Sequence, residues 1–325
     1  MATALNFGAG QIGRACATAL VAAGWQVKTL DRAAIVGGLR FDRRNPAALA
    51  AAVGNGADLL VDTIGFDRGD ADLLLPLAGG IGHLVSISSV SVYADASGRS
   101  LDEARTGGFP EFDGPINEAM ATVPAGDDTY STRKVAMEAR LLAAMHCPVA
   151  VLRPCAIHGI GSRHPREWWF VKRLLDGRAD VPLAYHGESQ FHTTAAESIG
   201  RLAAVLAAQR IGGIFNIADP DAPTVAGISA VISARMGRPL AIRRFAGPPH
   251  GHVGQTPWCV PRPYLIDSSS ALAAGYANAG DYAALVAPTI DWLVATAGDG
   301  DWRARFAVLA NYGFDPFDYA AEDAA

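Results

Sequence analysis

Cysteines, charged residues and long apolar runs are all scarce in this sequence. Its four cysteines form no C-x-x-C pair and have no histidine at metal-ligand spacing. This pattern is typical of a reducing compartment, so we expect a cytoplasmic protein with no metal site. The longest apolar stretches, such as Ala15–Ala23, are far shorter than the roughly 20 residues of a membrane-spanning helix. We therefore expect no membrane partner and, because the first motif begins close to the amino end, no targeting peptide.

Only 18% of the residues are charged, and the formal net charge is −5. An acidic balance gives no basic face for a phosphate backbone, so we expect no nucleic-acid partner. We interpret two basic clusters, Arg40 with Arg43 and Arg44, and Arg243 with Arg244, as solvated surface. Half of the residues are apolar, which supplies a large core and excludes an intrinsically disordered chain.

Short β-prone runs alternate with alanine- and leucine-rich helical segments over the first two thirds of the chain. The predicted strands are Ala4–Phe7, Gln26–Leu30, Asp58–Ile64, His83–Ser88 and Val149–Arg153. The predicted helices between them are Ile12–Ala23, Pro46–Val53 and Thr129–His146. Strands separated by helices of this length predict βαβ units and a parallel sheet, with the ligand at the carboxyl ends of the strands.

A glycine-rich loop joins the first predicted strand to the first predicted helix. The run Gly8-Ala9-Gly10-Gln11-Ile12-Gly13 fits the pattern G-x-G-x-x-G. Its first glycine permits a tight turn, the second lets the backbone approach a pyrophosphate, and the third lets the helix pack closely on the strand. The start of the helix then offers unpaired N–H groups to the phosphates. We therefore expect this loop to bind a dinucleotide, the alternative being a ligand-free turn.

An acidic residue ends the second predicted strand. Asp31 follows Gly13 by 18 residues (31 − 13), which is the place of the carboxylate that binds the adenosine ribose in NAD-binding folds. This position favours NAD. The adjacent Arg32 is suited to a 2′-phosphate instead, so NADP stays possible.

These features predict an α/β chain with a Rossmann-type, doubly wound parallel sheet and a smaller C-terminal substrate lobe. Ile214–Ile217 has the composition of a strand that returns to the main sheet. We expect a dinucleotide-binding domain over residues 1–155, with 190–218 returning to it. The substrate-binding lobe is expected over residues 156–189 and 219–325.

A tyrosine and a lysine lie four residues apart in Tyr130-Ser131-Thr132-Arg133-Lys134, within a predicted helix. This spacing puts the phenol and the ammonium on one face, one turn apart. A free tyrosine has a pKa near ~10, and a nearby cation lowers it. We therefore expect Lys134 to lower the pKa of Tyr130, which then exchanges a proton with a substrate oxygen while a hydride moves to or from a nicotinamide.

A serine-rich turn, Ser88-Ser89-Val90-Ser91-Val92-Tyr93, follows the predicted strand His83–Ser88. It lies at the carboxyl edge of the sheet, where the nicotinamide is expected. A hydroxyl in this turn is suited to orient the reacting oxygen, whereas capping of the turn is the alternative for any single serine. The turn, the tyrosine and the lysine occur in the order that the mechanism needs.

From Leu5 to Ala218 the sequence resembles the short-chain dehydrogenase/reductase superfamily, in particular its extended branch of NAD-dependent epimerases and dehydratases. The resemblance rests on the following motifs: the glycine loop, Asp31, the serine-rich turn, Tyr130–Lys134, and Leu152-Arg153-Pro154 with Gly159. It implies that Ser89 is the catalytic hydroxyl, that Tyr130 is the catalytic acid/base, and that Lys134 holds the cofactor ribose. It also implies three further cofactor contacts: Asp42 near the adenine, and the backbone of Thr63 and Ile64.

Three departures from the family pattern bear on the substrate and the branch. Ala156 stands where members that act on nucleotide sugars usually have asparagine. The run Phe191–Glu197, which lies near the substrate's diphosphate in the family, has its histidine displaced to His192. Both changes weaken the case for a nucleotide sugar. The glycine loop also has one glycine fewer than the extended pattern, as in the atypical branch.

Four residues are candidates for contacting the substrate: Ser91, Glu118, Trp168 and His192. Ser91 belongs to the serine-rich turn, and Glu118 lies in a long connection, residues 94–128, that we interpret as a substrate-side flap. Trp168 begins a predicted helix, and covering the core is the alternative for it. A surface or structural role is the alternative for His192.

The first hypothesis is an NAD(P)-dependent oxidoreductase or epimerase that uses a Ser-Tyr-Lys triad, acting on a small molecule such as a sugar or sugar nucleotide. The second is a reductase of a small carbonyl metabolite, and the third is an NAD(P)-binding regulator without turnover. Relatives dimerise through the helix that carries the tyrosine and lysine, so a homodimer is expected by analogy.

Overall fold

The computed structural model describes residues 1–33, 37–104 and 106–325. In chain order its strands are β1 (Thr3–Phe7), β2 (Gln26–Asp31), β3 (Leu39–Arg40), β4 (Leu59–Asp62), β5 (Leu84–Ile87), β6 (Val149–Pro154), β7 (Ala156–His158), β8 (Asp180–Leu183), β9 (Thr193–Ala195), β10 (Gly213–Ile217) and β11 (Ala241–Arg244).

The helices are α1 (Gln11–Ala22), α2 (Pro46–Val53), α3 (Arg68–Asp72), α4 (Tyr130–Ala144), α5 (Trp168–Leu175), α6 (Ala196–Gln209), α7 (Val225–Met236), α8 (Ser269–Ala273), α9 (Tyr282–Ala295), α10 (Trp302–Arg305), α11 (Ala307–Ala310) and α12 (Tyr319–Asp323). Short 3₁₀ helices cover Leu75–Gly80, Val90–Val92 and Tyr185–Gly187. Within the described ranges, no helix is both long enough and apolar enough to cross a membrane.

The chain folds into two compact units. Unit 1 contains Met1–Cys155, Ala196–Ala218 and Ile266–Asn278. Unit 2 contains Ala156–Ala195, Asp219–Leu265 and Ala279–Ala325.

Unit 1 is built on a seven-stranded sheet with the order β10-β6-β5-β4-β1-β2-β3, in which all neighbouring strands are parallel. The chain runs outward from β1 to β3 on one side, then returns to β4 and runs outward to β10 on the other. This reversal between β1 and β4 is a topological switch point, where open α/β sheets bind their ligands. The predicted fold class, a Rossmann-type parallel sheet, is confirmed.

The elements predicted for unit 1 agree with the observed ones to within a few residues. Helix α2 has the predicted bounds, and Ile214–Ile217 lies in β10, which pairs with β6 as expected. Two ends differ by two residues: α4 ends at Ala144 rather than at His146, and β4 ends at Asp62 rather than at Ile64. The Asp62 carboxylate accepts the N–H groups of Ile64 and Gly65 at 3.2 and 3.0 Å, so the chain turns there instead of extending the strand.

Unit 2 combines two small parallel strand pairs, β7 with β9 and β8 with β11, with a core rich in aromatic side chains. Trp169, Phe170 and Trp258 are among its buried members. The guanidinium of Arg173 is buried over the Trp169 ring, 3.4 Å from its centroid, and forms an ion pair with Glu322. This pair anchors α12 to α5.

Helices α1 and α6 of unit 1 pack with their backbones in close approach. A Cβ atom at Gly200 of α6 would lie 2.5 Å from the carbonyl oxygen of Ala15 and 2.9 Å from the nitrogen of Cys16. No side-chain atom is available to move aside, because both neighbours are backbone atoms. The glycine therefore sets the distance between the two helices.

Gly200→Ala is expected to destabilise the protein by about 1–3 kcal/mol, because the added methyl group must separate α1 from α6. The sign is informative, since Gly→Ala inside a helix otherwise stabilises by roughly 0.5–1 kcal/mol. Urea unfolding followed by circular dichroism measures the change. Gly298→Ala, in the turn after α9, is the control, because no described atom beyond its chain neighbours lies within 4 Å of its Cβ position. A Gly200→Ala protein as stable as the wild type would contradict the assigned packing.

Candidate active site at the switch point

The glycine loop leaves β1 at the switch point and has no room for side chains at its first and third glycines. Gly8 has a φ of +103°, and a Cβ there would lie 2.4 Å from the Thr63 Oγ1. A Cβ at Gly13 would lie 1.9 Å from the carbonyl oxygen of Gly8. These contacts bring the loop against the end of β4, at the start of α1. Thr63 and Ile64, both predicted to line the cofactor, therefore lie beside the loop.

The second glycine of the loop faces open space. Among the described residues other than its two chain neighbours, none has an atom within 4 Å of a Cβ position at Gly10, and none caps α1 there with a side chain. The first bond of α1 runs from the Arg14 N–H to the Gly10 carbonyl at 3.0 Å, so the N–H groups of the preceding turn have no partner within the helix. The side-chain Nε2 of Gln11 is buried and has no partner within the described ranges. Space, N–H donors and a positive helix end together suit a pyrophosphate.

Asn6 is a site residue that the sequence analysis missed. It is fully buried in β1, and its Nδ2 donates to the carbonyl oxygens of Gly8 and Gly13 at 3.1 and 3.0 Å. These two bonds hold the start and the end of the loop together. The signal was present in the sequence, because a polar amide interrupts the otherwise apolar strand Ala4–Phe7 just before the glycines.

Asp31 ends β2, and its carboxylate is bound to the loop. Its Oδ2 accepts the Ala9 N–H at 2.8 Å, and its Oδ1 accepts the Ala33 N–H at 2.9 Å. Arg32 beside it is exposed. Asp42 follows β3, which pairs with β2 at the level of Asp31, and its Oδ1 accepts the Arg44 N–H at 3.0 Å. The residues predicted for the adenosine end thus lie at the same edge of the sheet.

The interpretation of Arg43 as solvated surface is wrong. Its side chain is 6% exposed and makes two hydrogen bonds with the Asp62 carboxylate, at 3.0 and 3.1 Å. Arg40 and Arg44 on either side are exposed, as predicted. The difference arises because Arg43 points into the unit, where β4 provides a buried carboxylate.

Tyr130 is the first residue of α4, and two side chains fix the start of this helix. Thr129 forms a capping box with Thr132. Asp102, which lies in the connection between residues 94 and 128, accepts the N–H of Ser131 at 2.9 Å. Because a carboxylate at a helix start is favoured by the helix dipole, Asp102 ties this connection to the helix that carries the tyrosine.

Ser89 and Tyr130 are brought together, as the triad hypothesis requires. Ser89 caps the 3₁₀ helix Val90–Val92, and its Oγ accepts the Ser91 N–H at 3.1 Å. The Ser89 side chain also lies close enough to the Tyr130 phenol to lower the pKa of that phenol. The hydroxyls of Ser88 and Ser91 are buried, and neither has a partner in the described part of the chain. The turn therefore caps a helix and also presents free hydroxyl groups.

The expectation that Lys134 lowers the pKa of Tyr130 is wrong for this structure. Burial of the phenol raises its pKa above the usual value, and the charge of Asp102 raises the pKa further. The Ser89 side chain lowers the pKa, but by less than burial raises it. The residue as a whole is still 43% exposed. The ammonium nitrogen of Lys134 lies 6.0 Å from the centre of the tyrosine ring, and lowering by Lys134 is not among the causes of the shift. Tyr130 therefore carries its proton at neutral pH.

Lys134 is buried and held by two backbone carbonyls instead. Its Nζ donates to Gly65 at 2.7 Å and to Ile87 at 3.0 Å. These carbonyls follow β4 and end β5, so the lysine lies at the carboxyl edge of the sheet. Burial lowers the pKa of Lys134 to about 8, although the carboxylates of Asp62 and Glu138 oppose this. An ammonium has three donors, so one is left after these two bonds.

The four residues predicted to contact a substrate lie in different environments. In unit 1, Ser91 belongs to the serine-rich turn, whereas Glu118 binds the Asn216 N–H at 2.7 Å and the Ser270 hydroxyl at 3.0 Å. In unit 2, Trp168 is 3% exposed within the aromatic core, and His192 binds the Asp219 carbonyl at 2.8 Å. Core packing, the alternative for Trp168, describes its position. A substrate contact by any of the four stays a prediction.

Solved structures share this fold over nearly the whole chain. A UDP-N-acetylglucosamine 4-epimerase from Bacillus cereus is 18% identical, with a TM-score of 0.66 and coverage of 90% of this chain and 96% of that one. A dTDP-glucose 4,6-dehydratase from Bacillus anthracis, solved in complex with NAD, is 16% identical, with a TM-score of 0.67 and coverage of 91% and 97%. A Thermus thermophilus UDP-glucose 4-epimerase, also solved in complex with NAD, is 16% identical, with a TM-score of 0.66 and coverage of 90% and 99%. No protein-family model and no curated protein matches the sequence. The fold implied by the resemblance is confirmed by these structures.

Asp102→Asn is expected to lower the pKa of Tyr130, because it removes a negative charge that disfavours the phenolate. The amide oxygen of asparagine still accepts the Ser131 N–H, so α4 keeps its cap. Titration of the ¹³Cζ resonance of labelled tyrosine measures the shift, with Tyr130→Phe assigning the signal. Asp113→Asn, an exposed position in the same connection, is the control. An unchanged or raised pKa in Asp102→Asn would contradict the assigned effect.

Proposed function

We propose that this chain is an NAD-dependent oxidoreductase or epimerase of the extended short-chain type. The observation that carries the proposal is the placement of Ser89, in the turn after β5, and Tyr130, at the start of α4, at the same sheet edge as the open glycine loop. Lys134 lies at that edge as well. The similar epimerase and dehydratase structures, two of them in complex with NAD, support the same reaction class.

The residues at the switch point fit a bound dinucleotide. The unoccupied side of Gly10 accommodates a pyrophosphate, and the N–H groups at the start of α1 and the unpartnered Nε2 of Gln11 are its donors. Asp31 ends β2, where NAD-binding folds place the carboxylate that binds the ribose, which favours NAD, while Arg32 keeps NADP as the alternative. When bound, the nicotinamide supplies a hydride acceptor or donor.

The three candidate catalytic side chains have distinct tasks in this proposal. Tyr130 exchanges a proton with the substrate oxygen. Ser89 donates its one O–H hydrogen bond to the reacting oxygen. The third donor of Lys134 binds a ribose hydroxyl, which fixes the cofactor beside Tyr130. Because the pKa of Tyr130 is raised, the phenol carries its proton at neutral pH and has it available to donate to a carbonyl oxygen.

For the substrate we propose a sugar or sugar nucleotide, the class named for the similar structures. A second candidate is a small carbonyl metabolite, which is reduced while the cofactor leaves after each turnover. Ala156 favours this second candidate, because a methyl group at the start of β7 replaces the amide usual in nucleotide-sugar enzymes and is itself buried. Retention of NAD through purification favours the first candidate, and its loss favours the second.

Gly10→Val is expected to weaken NAD binding at least about tenfold, equivalent to 1.4 kcal/mol, because the side chain fills the space above the start of α1. We expect the fold to tolerate it, since within residues 1–33, 37–104 and 106–325 no atom beyond the chain neighbours lies within 4 Å of the Cβ position. Isothermal titration calorimetry with NAD measures the affinity, and thermal unfolding tests the fold. Gly298→Val is the control, because Gly298 is exposed, its φ is not positive, and no described residue beyond its chain neighbours has an atom within 4 Å of its Cβ position. Equal NAD affinity in wild type and Gly10→Val would contradict the placement.

Tyr130→Phe is expected to reduce kcat/KM by about 10²–10⁴-fold while NAD still binds, because only the proton donor is removed. Turnover is followed by nicotinamide absorbance, or by isomer analysis if the reaction is an epimerisation, over a panel of sugars, sugar nucleotides and small carbonyl compounds. Tyr185→Phe is the control substitution. Unchanged turnover in Tyr130→Phe would contradict the proposal, and NAD binding without any turnover would favour the regulator. The homodimer and the cytoplasmic location stay predictions.

A further inference from the structure

A buried ion pair lies behind Lys134 and has no part in the proposed reaction. Arg43 and Asp62 are 6% and 1% exposed, and two hydrogen bonds of 3.0 and 3.1 Å join them. The same guanidinium donates to the carbonyl of Asp70 at 3.0 Å and lies 3.6 Å from its carboxylate. Arg43 thus joins the segment before α2 to the end of β4 and to α3.

The Asp62 carboxylate has a second set of contacts, which leads to the lysine. Its Oδ1 accepts the N–H groups of Ile64 and Gly65 and so shapes the turn after β4. A Cβ at Gly65 would lie 2.6 Å from Asp62 Oδ2 and 3.0 Å from Met137 Sδ, so the turn is tightly enclosed. The carbonyl of Gly65 then accepts Lys134 Nζ at 2.7 Å. The contacts are continuous from Arg43 to Lys134.

Stability alone is a poor explanation for this arrangement. Removing two charges from water costs about as much as their attraction returns, so apolar residues of similar volume would serve the core equally well. A carboxylate, in contrast, can hold two N–H groups and face an ammonium at the same time. We propose that Arg43 and Asp62 are positioning residues that fix the Gly65 carbonyl and thereby the charge and place of Lys134. The functional meaning of that placement rests on the proposed function.

The charges around Lys134 make this proposal measurable. Burial lowers the pKa of Lys134 to about 8, the carboxylates of Asp62, Glu138 and Asp70 raise it, and the guanidinium of Arg43 lowers it. Asp62 is the largest of the opposing contributions. The Lys134 ammonium also donates hydrogen bonds to the Gly65 and Ile87 carbonyls. Glu138 is itself paired with Arg153 at 3.0 Å.

The test is a pH titration of ¹³Cε-labelled lysine by NMR, which is simple here because the sequence has only the lysines Lys28, Lys134 and Lys172. Asp62→Asn is expected to lower the pKa of Lys134 by at least about half a unit, because it removes the carboxylate that raises this pKa most. Asp72→Asn is the matched control, since Asp72 lies in the adjacent helix but pairs with Arg140 at the surface. Its Lys134 titration is expected to match that of the wild type.

Arg43→Gln is the second variant, and its effect has the opposite sign. Loss of the guanidinium leaves the charge of Asp62 facing Lys134, so the pKa of Lys134 is expected to rise. Shifts of opposite sign distinguish positioning from general loosening, which would move both variants in one direction. Shifts of the same sign, no shift in Asp62→Asn, or failure of both variants to fold would overturn the proposal. The titration uses the chain without cofactor or substrate, so its result is independent of whether the chain proves to bind a dinucleotide.

Discussion

The close approach between β1, the glycine loop and the end of β4 is the constraint on which the rest of the site depends. Side chains at Gly8 or Gly13 would overlap neighbouring atoms at 2.4 and 1.9 Å, so only glycine lets α1 begin directly over the switch point. The Asn6 side chain donates to the carbonyl groups at both ends of the turn. The Asp31 carboxylate, at the end of β2, accepts the N–H of Ala9 within the turn. These contacts fix the backbone of the loop on both sides of Gly10. The space next to Gly10, where a side chain would point, stays open.

The chemistry of the other half of the site depends on which groups are buried and which charges lie near them. Lys134 is held between two carbonyls, and buried carboxylates in its surroundings partly offset the burial that lowers its pKa. Burial and the charge of Asp102 raise the pKa of Tyr130 by more than Ser89 lowers it, so the phenol is neutral over a wider pH range. The structure therefore has a neutral phenol and an ammonium of lowered pKa at one sheet edge. This combination suits proton donation to an oxygen more directly than proton removal from one.

Sequence patterns predicted the local elements and the positions of the motifs, and failed where partners lie far apart in the chain. The glycine loop, α2 and the return of β10 to the sheet follow from spacing and composition, which are local properties. The burial of Arg43 could not be inferred, because its partner Asp62 is 19 residues away and three arginines close together resemble a solvated face. The spacing of Tyr130 and Lys134 correctly places them one helical turn apart, but it does not give the direction of the ammonium, which the carbonyls of two strand ends determine. Asn6 was missed because the strand Ala4–Phe7 was predicted from its apolar residues, and its one polar side chain was given no role.

Native mass spectrometry of the purified chain, with and without added dinucleotide, tests the central claim most directly. If the switch point binds a dinucleotide, the spectrum contains the chain with one NAD, either retained from the cell or after addition. Collisional activation should then release an intact NAD ion. A spectrum that contains only the bare chain after addition of either NAD or NADP would contradict the account.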